Sequence, residues 1–216
     1  MSGLAGFFRN ADPAIFAILA VSIWVLGIAI ERFIFLFFKY NINATDFMGQ
    51  IQKLVIAGNI DRAIKLCNAA PSAALPRVIK AGLTRANKGQ VAIGNAIEEA
   101  QLEIVPHIMK RTNGLLTLAN VATLFGLLGT IHGLITCFAG LGGAAPEDKA
   151  RILAEGISMA MHATAFGLGV AIVGMLAHLW LSTMSKKIVE EIEQYSIKTE
   201  NLLVAYGKGK LSADEG

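Results

Sequence analysis

Three long stretches of this chain contain no Asp, Glu, Lys or Arg, and they fix the architecture that everything else must fit. The first runs from Pro13 to Ile30, and after Glu31-Arg32 the apolar character resumes as Phe33-Ile34-Phe35-Leu36-Phe37-Phe38. The second runs from Thr112 to Pro146 and the third from Gly156 to Ser185. About 20 apolar residues at ~1.5 Å rise cross a hydrocarbon core of ~30 Å, so each stretch is long enough to span a membrane. The expected spans are residues 13–38, 112–141 and 152–184, with a short connection at 142–151 between the last two. The first stretch reads as a retained span rather than a cleaved signal, because only Arg9 precedes it and no small-residue cleavage site follows.

Between the first two spans, residues 39–111 switch to helical periodicity. Phe47, Ile51, Leu54 and Val55 recur at that spacing, as do Ile60, Ala63, Ile64 and Cys67. A further run places Ile93, Ile97, Ala100, Leu102 and Ile104 against Glu98, Glu99 and Glu103. Gly58-Asn59, Pro71-Ser72 and Lys88-Gly89 are the expected breaks, and Pro106 is expected to kink its helix rather than end it. Beyond span three, Ile188, Ile192, Tyr195 and Leu202 continue the pattern, with Gly207–Gly216 expected to be a disordered tail. No strand alternation appears. The fold class is all-α: three transmembrane helices, two of them extended into a helical cytoplasmic region.

Composition agrees. Of 216 residues 54% are hydrophobic and only 16% charged, where soluble domains average about 25% charged. A net charge of +3 without a basic, aromatic-interleaved stripe argues against a nucleic-acid partner. Cys67 and Cys137 stand far apart and form neither a disulfide framework nor a metal motif. No phosphate-binding loop or two-histidine helical site is present, so an enzyme, a cofactor and a metal centre are not expected. Residues 39–111 hold ten basic against five acidic residues, and Lys186-Lys187 follow span three. Cytoplasmic loops carry the Lys/Arg excess, which puts residues 1–12 and 142–151 outside and 39–111 and 185–216 inside.

Polar and small residues inside the spans are the candidate chemistry. Span two carries Asn113, Thr117, Asn120, Thr123, Thr130, His132 and Thr136, together with Gly126, Gly129 and Gly133. Asn113, Asn120, Thr123 and Thr130 fall roughly along one helical stripe, with His132 and Thr136 on another side. Span three has Glu155 at its outer end, then Ser158, His162, Thr164 and the glycines Gly167, Gly169 and Gly174. The glycines Gly126, Gly129, Gly133 and Gly167 are read as helix-packing positions, because small residues let membrane helices approach closely. His132 and His162 read as packing residues, and Glu31-Arg32 as an interfacial anchoring pair.

The segments GLLGTIHG at 126–133 and GISMAMHATAFGLGVAI at 156–172 resemble the two signature helices of the MotA/TolQ/ExbB proton-channel family. The likeness continues through ERFIFL at 31–36, GNIDRAIKLC at 58–67, LPRVIKAGL at 75–83 and AIEEAQLEIVPHIMKRTNGLLTLANVA at 96–122. Three spans with a short outer hairpin resemble the ExbB/TolQ branch, since MotA-type subunits have four. Two positions lack the prolines usual in the family: Thr123 before the LLGT segment and Val173 after the AI of span three. Met159 stands where many ExbB and TolQ proteins carry a glutamate, which removes a direct proton role at that position and suggests a divergent branch.

The resemblance implies a multi-pass subunit of the bacterial inner membrane. It implies a homopentamer, in contact with lipid, around the single spans of an ExbD/TolR-like partner dimer that supplies a membrane aspartate. A TonB/TolA-like or other envelope effector would receive the force. Thr130 and Thr164 match the family's two pore threonines, with Thr123 and Glu155 as lesser candidates for the ion pathway. Protons and sodium are both open: a single hydroxyl at Ala163-Thr164-Ala165 favours protons, and Thr123 weighs against that preference. The alternatives are a flagellar MotA-like stator subunit and a membrane scaffold that conducts nothing.

Overall fold

The computed structural model describes residues 13–40 and 42–214, and these are helical with short connections. Helix α1 is Pro13–Ile34 and passes into a π-helical turn, Phe35–Tyr40. Four helices follow: α2 Ala44–Ile56, α3 Ile60–Ala69, α4 Ala74–Thr84 and α5 Gln90–Met109. The last two are α6 Thr112–Leu141 and α7 Pro146–Asp214. The stretches Ile15–Phe37, Gln90–Leu141 and Pro146–Gly207 each contain a helix long and apolar enough to cross a membrane. Residues 1–12, expected outside the membrane, lie outside the described residues.

Two differences from the sequence expectation have simple causes. Helix α7 begins at Pro146, inside the expected connection, because proline suits a first helical position and Glu147 and Asp148 suit a first turn. It also continues past Gly207 to Asp214, where a tail was expected. The chain divides into two compact units: Met1–Glu31 with Arg111–Trp180, and Arg32–Lys110 with Leu181–Gly216.

In the second unit, the helical stripes seen in the sequence become its core. Ile51, Val55, Ala63, Val78, Ile79, Ile93, Ile104, Ile108, Ile192 and Leu203 are almost completely buried. Each such large aliphatic side chain contributes about 1.5–3 kcal/mol by leaving water. Gly58 at φ 72° and Gly89 at φ 87° make the left-handed turns before α3 and α5. The α5 helix contains Pro106 and stops at Met109. Its last carbonyls would be orphans, but buried Arg32 donates to His107 O at 3.0 Å and also to Ile108 O. Exposed Arg77 and Glu103 pair at 2.9 Å between α4 and α5.

In the first unit, α6 buries Thr112, Leu115, Ala119, Ala122, Gly126, Gly129, Gly133 and Cys137, in steps of three or four residues along one face. On α7 the matching face is Ala160, Ala163, Gly167, Ala171 and Gly174. The contacts run antiparallel, from Cys137 against Gly156, through Gly133 against Ala160 and Gly126 against Gly167, to Ala119 against Gly174. A Cβ on Gly167 would lie 2.7 Å from Ala122 O and 2.9 Å from Gly126 Cα, both backbone atoms. A Cβ on Gly133 would meet Ala160 Cβ at 3.0 Å, and one on Gly156 would meet Cys137 Sγ at 2.5 Å. The two backbones therefore touch, as membrane helices can where side chains are absent.

Substituting Gly167→Ala should cost about 1–3 kcal/mol, because the backbone it meets cannot rotate away. Gly169→Ala is the control: nothing lies within 4 Å of that position, so the helix should gain stability by about 0.5–1 kcal/mol. Unfolding temperatures of the two variants in detergent decide it, and equal shifts would refute the backbone-contact reading.

Cys67 gives a second test. Burial pushes its thiol up from 9.0 to about 12, with Lys80 acting weakly against that shift. The folded chain should resist maleimide at pH 8 and react once denatured. Since the folded thiol titrates above the unfolded one, its contribution to stability holds below pH 9.0 and falls as the pH rises to about 12. Labelling of Cys67 in the native Cys137→Ala protein at pH 8 would contradict this.

Candidate functional site

The closest approach of α6 and α7 also places the two principal threonines. Thr164 donates its hydroxyl to Gly126 O across the helix pair, at 3.0 Å. In an α-helix that same carbonyl accepts the N–H of the residue four ahead, here Thr130. Thr130 and Thr164 therefore meet around one backbone oxygen, which the missing side chains of Gly126 and Gly167 leave accessible. Thr130 donates its own hydroxyl to Leu127 O at 2.6 Å. Thr123 lies seven residues before it on the same face, about two turns toward the start of α6, and donates to Ala119 O at 3.3 Å.

These three bonds determine what the hydroxyls can offer. Each hydroxyl has one hydrogen and two lone pairs, and in each the hydrogen is given to a backbone carbonyl. What remains for a guest is acceptor capacity. Such a lining suits a donor: a protonated carboxyl, a hydronium or a cation. It suits an unprotonated carboxylate poorly.

The remaining polar residues lie elsewhere. Glu155 precedes Thr164 by nine residues, about half a turn of the helix face away. Its exposed carboxylate pairs with Arg151 at 3.2 Å within α7, and Arg151 also reaches Asp148 at 3.3 Å. The structure does not bring it to the threonines. His132 and Thr136 are exposed on another side of α6, where Thr136 donates to His132 O. His162 sits with Nδ1 2.6 Å from Ser158 O. Asn113 and Asn120 are exposed, whereas Thr123 and Thr130 are half-buried at the edge of the helix pair. Among the described residues no three His, Cys, Asp or Glu side chains gather as a metal site.

Several contacts are not visible in sequence spacing. Glu31 pairs with Arg111 at 2.5 Å, so the carboxylate at the end of span one holds the link between α5 and α6. Arg111 has a left-handed backbone, φ 61°, an uncommon state for a residue with a side chain. His178 has Nδ1 2.9 Å from Thr112 O. The heptad run of small residues from Ala119 to Gly133 is the one signal in the sequence that could have marked the contact face as a whole.

Comparison with known proteins bears on this arrangement directly. The family model of the MotA/TolQ/ExbB proton channel family matches residues 71–194, which include α4, α5, α6 and both threonines at the crossing. Biopolymer transport protein exbB1 of Vibrio cholerae is 36% identical over 80 residues, covering 37% of this chain and 35% of the relative. A putative biopolymer transport protein ExbB homolog of Methanothermobacter thermautotrophicus is 24% identical over 86% of this chain and 65% of its own length. The Tol-Pal system protein TolQ of Haemophilus influenzae is 29% identical over 57% of this chain and 52% of its own. The chain thus spans between about a third and two thirds of the length of these relatives. The solved structure of C. jejuni MotAB superposes with a TM-score of 0.64 over 95% of this chain and 84% of that one, at 17% identity, which is a likeness of fold. The family model takes in more than half of the residues, including both helices of the glycine contact, and the chain belongs to the MotA/TolQ/ExbB proton channel family, with ExbB/TolQ-like relatives.

Proposed function

We propose that this chain is the ring-forming channel subunit of an ion-driven motor in a bacterial inner membrane. The chain forms a ring, a pentamer on the family's pattern, around the single transmembrane helices of an ExbD/TolR-like partner. Its amino terminus is periplasmic, and residues 39–111 and the carboxy-terminal helix are cytoplasmic. Proton flow through the site at Thr130 and Thr164 turns the ring relative to the partner, whose outer part passes the force to an envelope effector.

The observation that carries this reading is the bond from Thr164 to Gly126 O, with Thr130 one turn further along α6. It makes a polar point at the crossing of Gly126 and Gly167, where the two helices touch backbone to backbone. Neither Thr112–Pro146 nor Gly156–Ser185 contains a carboxylate or a lysine. A proton crossing a dry path needs a titratable group, and a fixed charge at that depth is costly. Of the histidines in these segments, His132 and His162 stand off the face of Thr130 and Thr164, and His178 lies two heptads along α7 from Thr164, so the acid that meets the threonines comes from another chain. A carboxyl arriving protonated donates its hydrogen to the lone pairs that Thr130 and Thr164 keep free. When it ionises, that fit is lost and the next equivalent position is favoured. One charge moving through 100 mV supplies about 2.3 kcal/mol for such a step, several times thermal energy. Thr123 lies on the inward side of the same face, and Glu155 has no part in this path.

Thr164→Val keeps the shape and removes the hydroxyl. It should reduce ion-driven activity by about five- to a hundredfold, the equivalent of losing about 1–3 kcal/mol at the site. Thr164→Ser should stay near the unsubstituted level, and Thr130→Val should behave like Thr164→Val. The measurement is proton uptake by liposomes containing the chain with its single-span partner under an imposed potential. Full activity in both valine variants would leave a scaffold as the better description.

A further inference from the structure

Two side chains cross from α7 to carbonyls of α6, and they are spaced alike. Thr164 reaches Gly126 O, and His178 reaches Thr112 O with Nδ1 at 2.9 Å. The separation is fourteen residues on each helix, from 164 to 178 and from 126 back to 112, which is two heptads. Fourteen residues bring an α-helix back to within about 40° of its starting face, some 21 Å along the axis. His178 thus holds, where α6 begins, the position that Thr164 holds at the glycine crossing. Thr112, Thr123 and Thr130 fall within about 20° of one line on α6. The histidine therefore closes a file of hydroxyls.

Two features at this end point to proton handling rather than packing alone. A carbonyl can only accept, so the bond to Thr112 O fixes the hydrogen of neutral His178 on Nδ1 and leaves Nε2 as the basic nitrogen. Beside it, the Thr112 hydroxyl is buried, at 2% exposure, with no hydrogen-bond partner among the described residues. Buried hydroxyls are satisfied by protein or by water, so this one calls for a water or a passing donor. Among the described charged residues of this unit, Glu31 and Arg111 stand at the same end and are paired with each other. The others, Glu147 to Glu155, belong to the opposite end. The two remaining histidines of the unit, His132 and His162, lie at the far half of the helix pair and off the threonine face.

We propose that His178 is the inner proton-exchange residue of the pathway. This rests on the channel reading above and names the group that passes protons between the threonine file and the cytoplasm. Nε2 takes a proton arriving through water along the file and forms an imidazolium. The same proton then leaves Nε2 for cytoplasmic water, while Nδ1–H stays on Thr112 O throughout. No bond other than N–H is made or broken, and the residue returns to its starting state.

His178→Asn separates this role from a structural one, because the asparagine amide can still donate to Thr112 O from nearly the place of Nδ1 but cannot titrate. In liposomes holding the complex with the single-span partner, proton uptake should fall roughly tenfold or more in His178→Asn. The rate of the unsubstituted complex should depend on the pH inside the liposomes, and the variant should lose that dependence. Complex size and unfolding temperature should be unchanged. Imidazole added to His178→Ala should restore part of the uptake. Unaltered rate and pH profile in His178→Asn would overturn the proposal while the threonine variants still support the channel. If the unsubstituted complex passes no protons, the channel reading itself falls, and this inference with it.

Discussion

Backbone contact between α6 and α7 is the constraint on which the rest of the membrane unit depends. At Gly167 a single added carbon would sit 2.7 Å from a backbone oxygen. Neither helix can rotate or slide without bringing a side chain into that gap. The register is thereby pinned, and with it the reach of every side chain along the edge of the contact. Thr164 can place its hydroxyl on Gly126 O only because the axes are this close. One bulky residue at the crossing would lengthen the gap beyond a hydrogen bond. The glycines are structural, but their consequence is chemical.

The same contact explains how a polar group can be maintained in an apolar setting. An unsatisfied hydroxyl in hydrocarbon costs several kcal/mol, and threonine commonly avoids this by bonding back to its own helix. Thr117, Thr123, Thr130 and Thr136 all take that route. Thr164 differs, since its partner lies on the neighbouring helix. Its bond ties the two spans together and turns the threonine lone pairs to one side of the pair. In the second unit the equivalent problem is the exposed end of α5, and buried Arg32 supplies donors to its last carbonyls. Both cases show where the chain spends its few polar side chains: on backbone groups that have no other partner.

Much of this was legible in the sequence, and the limits have physical reasons. The charge-free gaps pointed to the three long apolar helices because ionic residues are excluded from hydrocarbon whatever the tertiary detail. Helix α6 runs from Thr112 to Leu141, since Gly142-Gly143 and Pro146 interrupt the pattern there. The breaks before α3, α4 and α5 followed from glycine and proline. Charged residues after Pro146 were read as a connection, although acidic side chains stabilise a first helical turn as well as they populate a loop. Helix α7 therefore starts earlier than hydropathy alone indicates. Glu31 and Arg32 looked like a pair because they are adjacent. Only the fold reveals that Glu31 holds Arg111 and that Arg32 caps α5. His178 was invisible for the same reason: its meaning comes from Thr112, sixty-six positions away, and from a register set by glycines.

The distribution of hydrogens, more than of charge, indicates what kind of guest the site can hold. A lining of hydroxyls is often treated as neutral toward donor and acceptor alike, because a hydroxyl rotor can turn to suit either. Here the rotors are engaged. Thr164 and Thr130 point their hydrogens at carbonyls, and turning one outward would forfeit that bond. A carboxylate would then face oxygen lone pairs, whereas a carboxyl would face acceptors. On the channel reading proposed above, such a lining would discriminate between the two protonation states of one acid without carrying any charge of its own. That asymmetry is what a stepping device requires, since each position must hold one state and release the other.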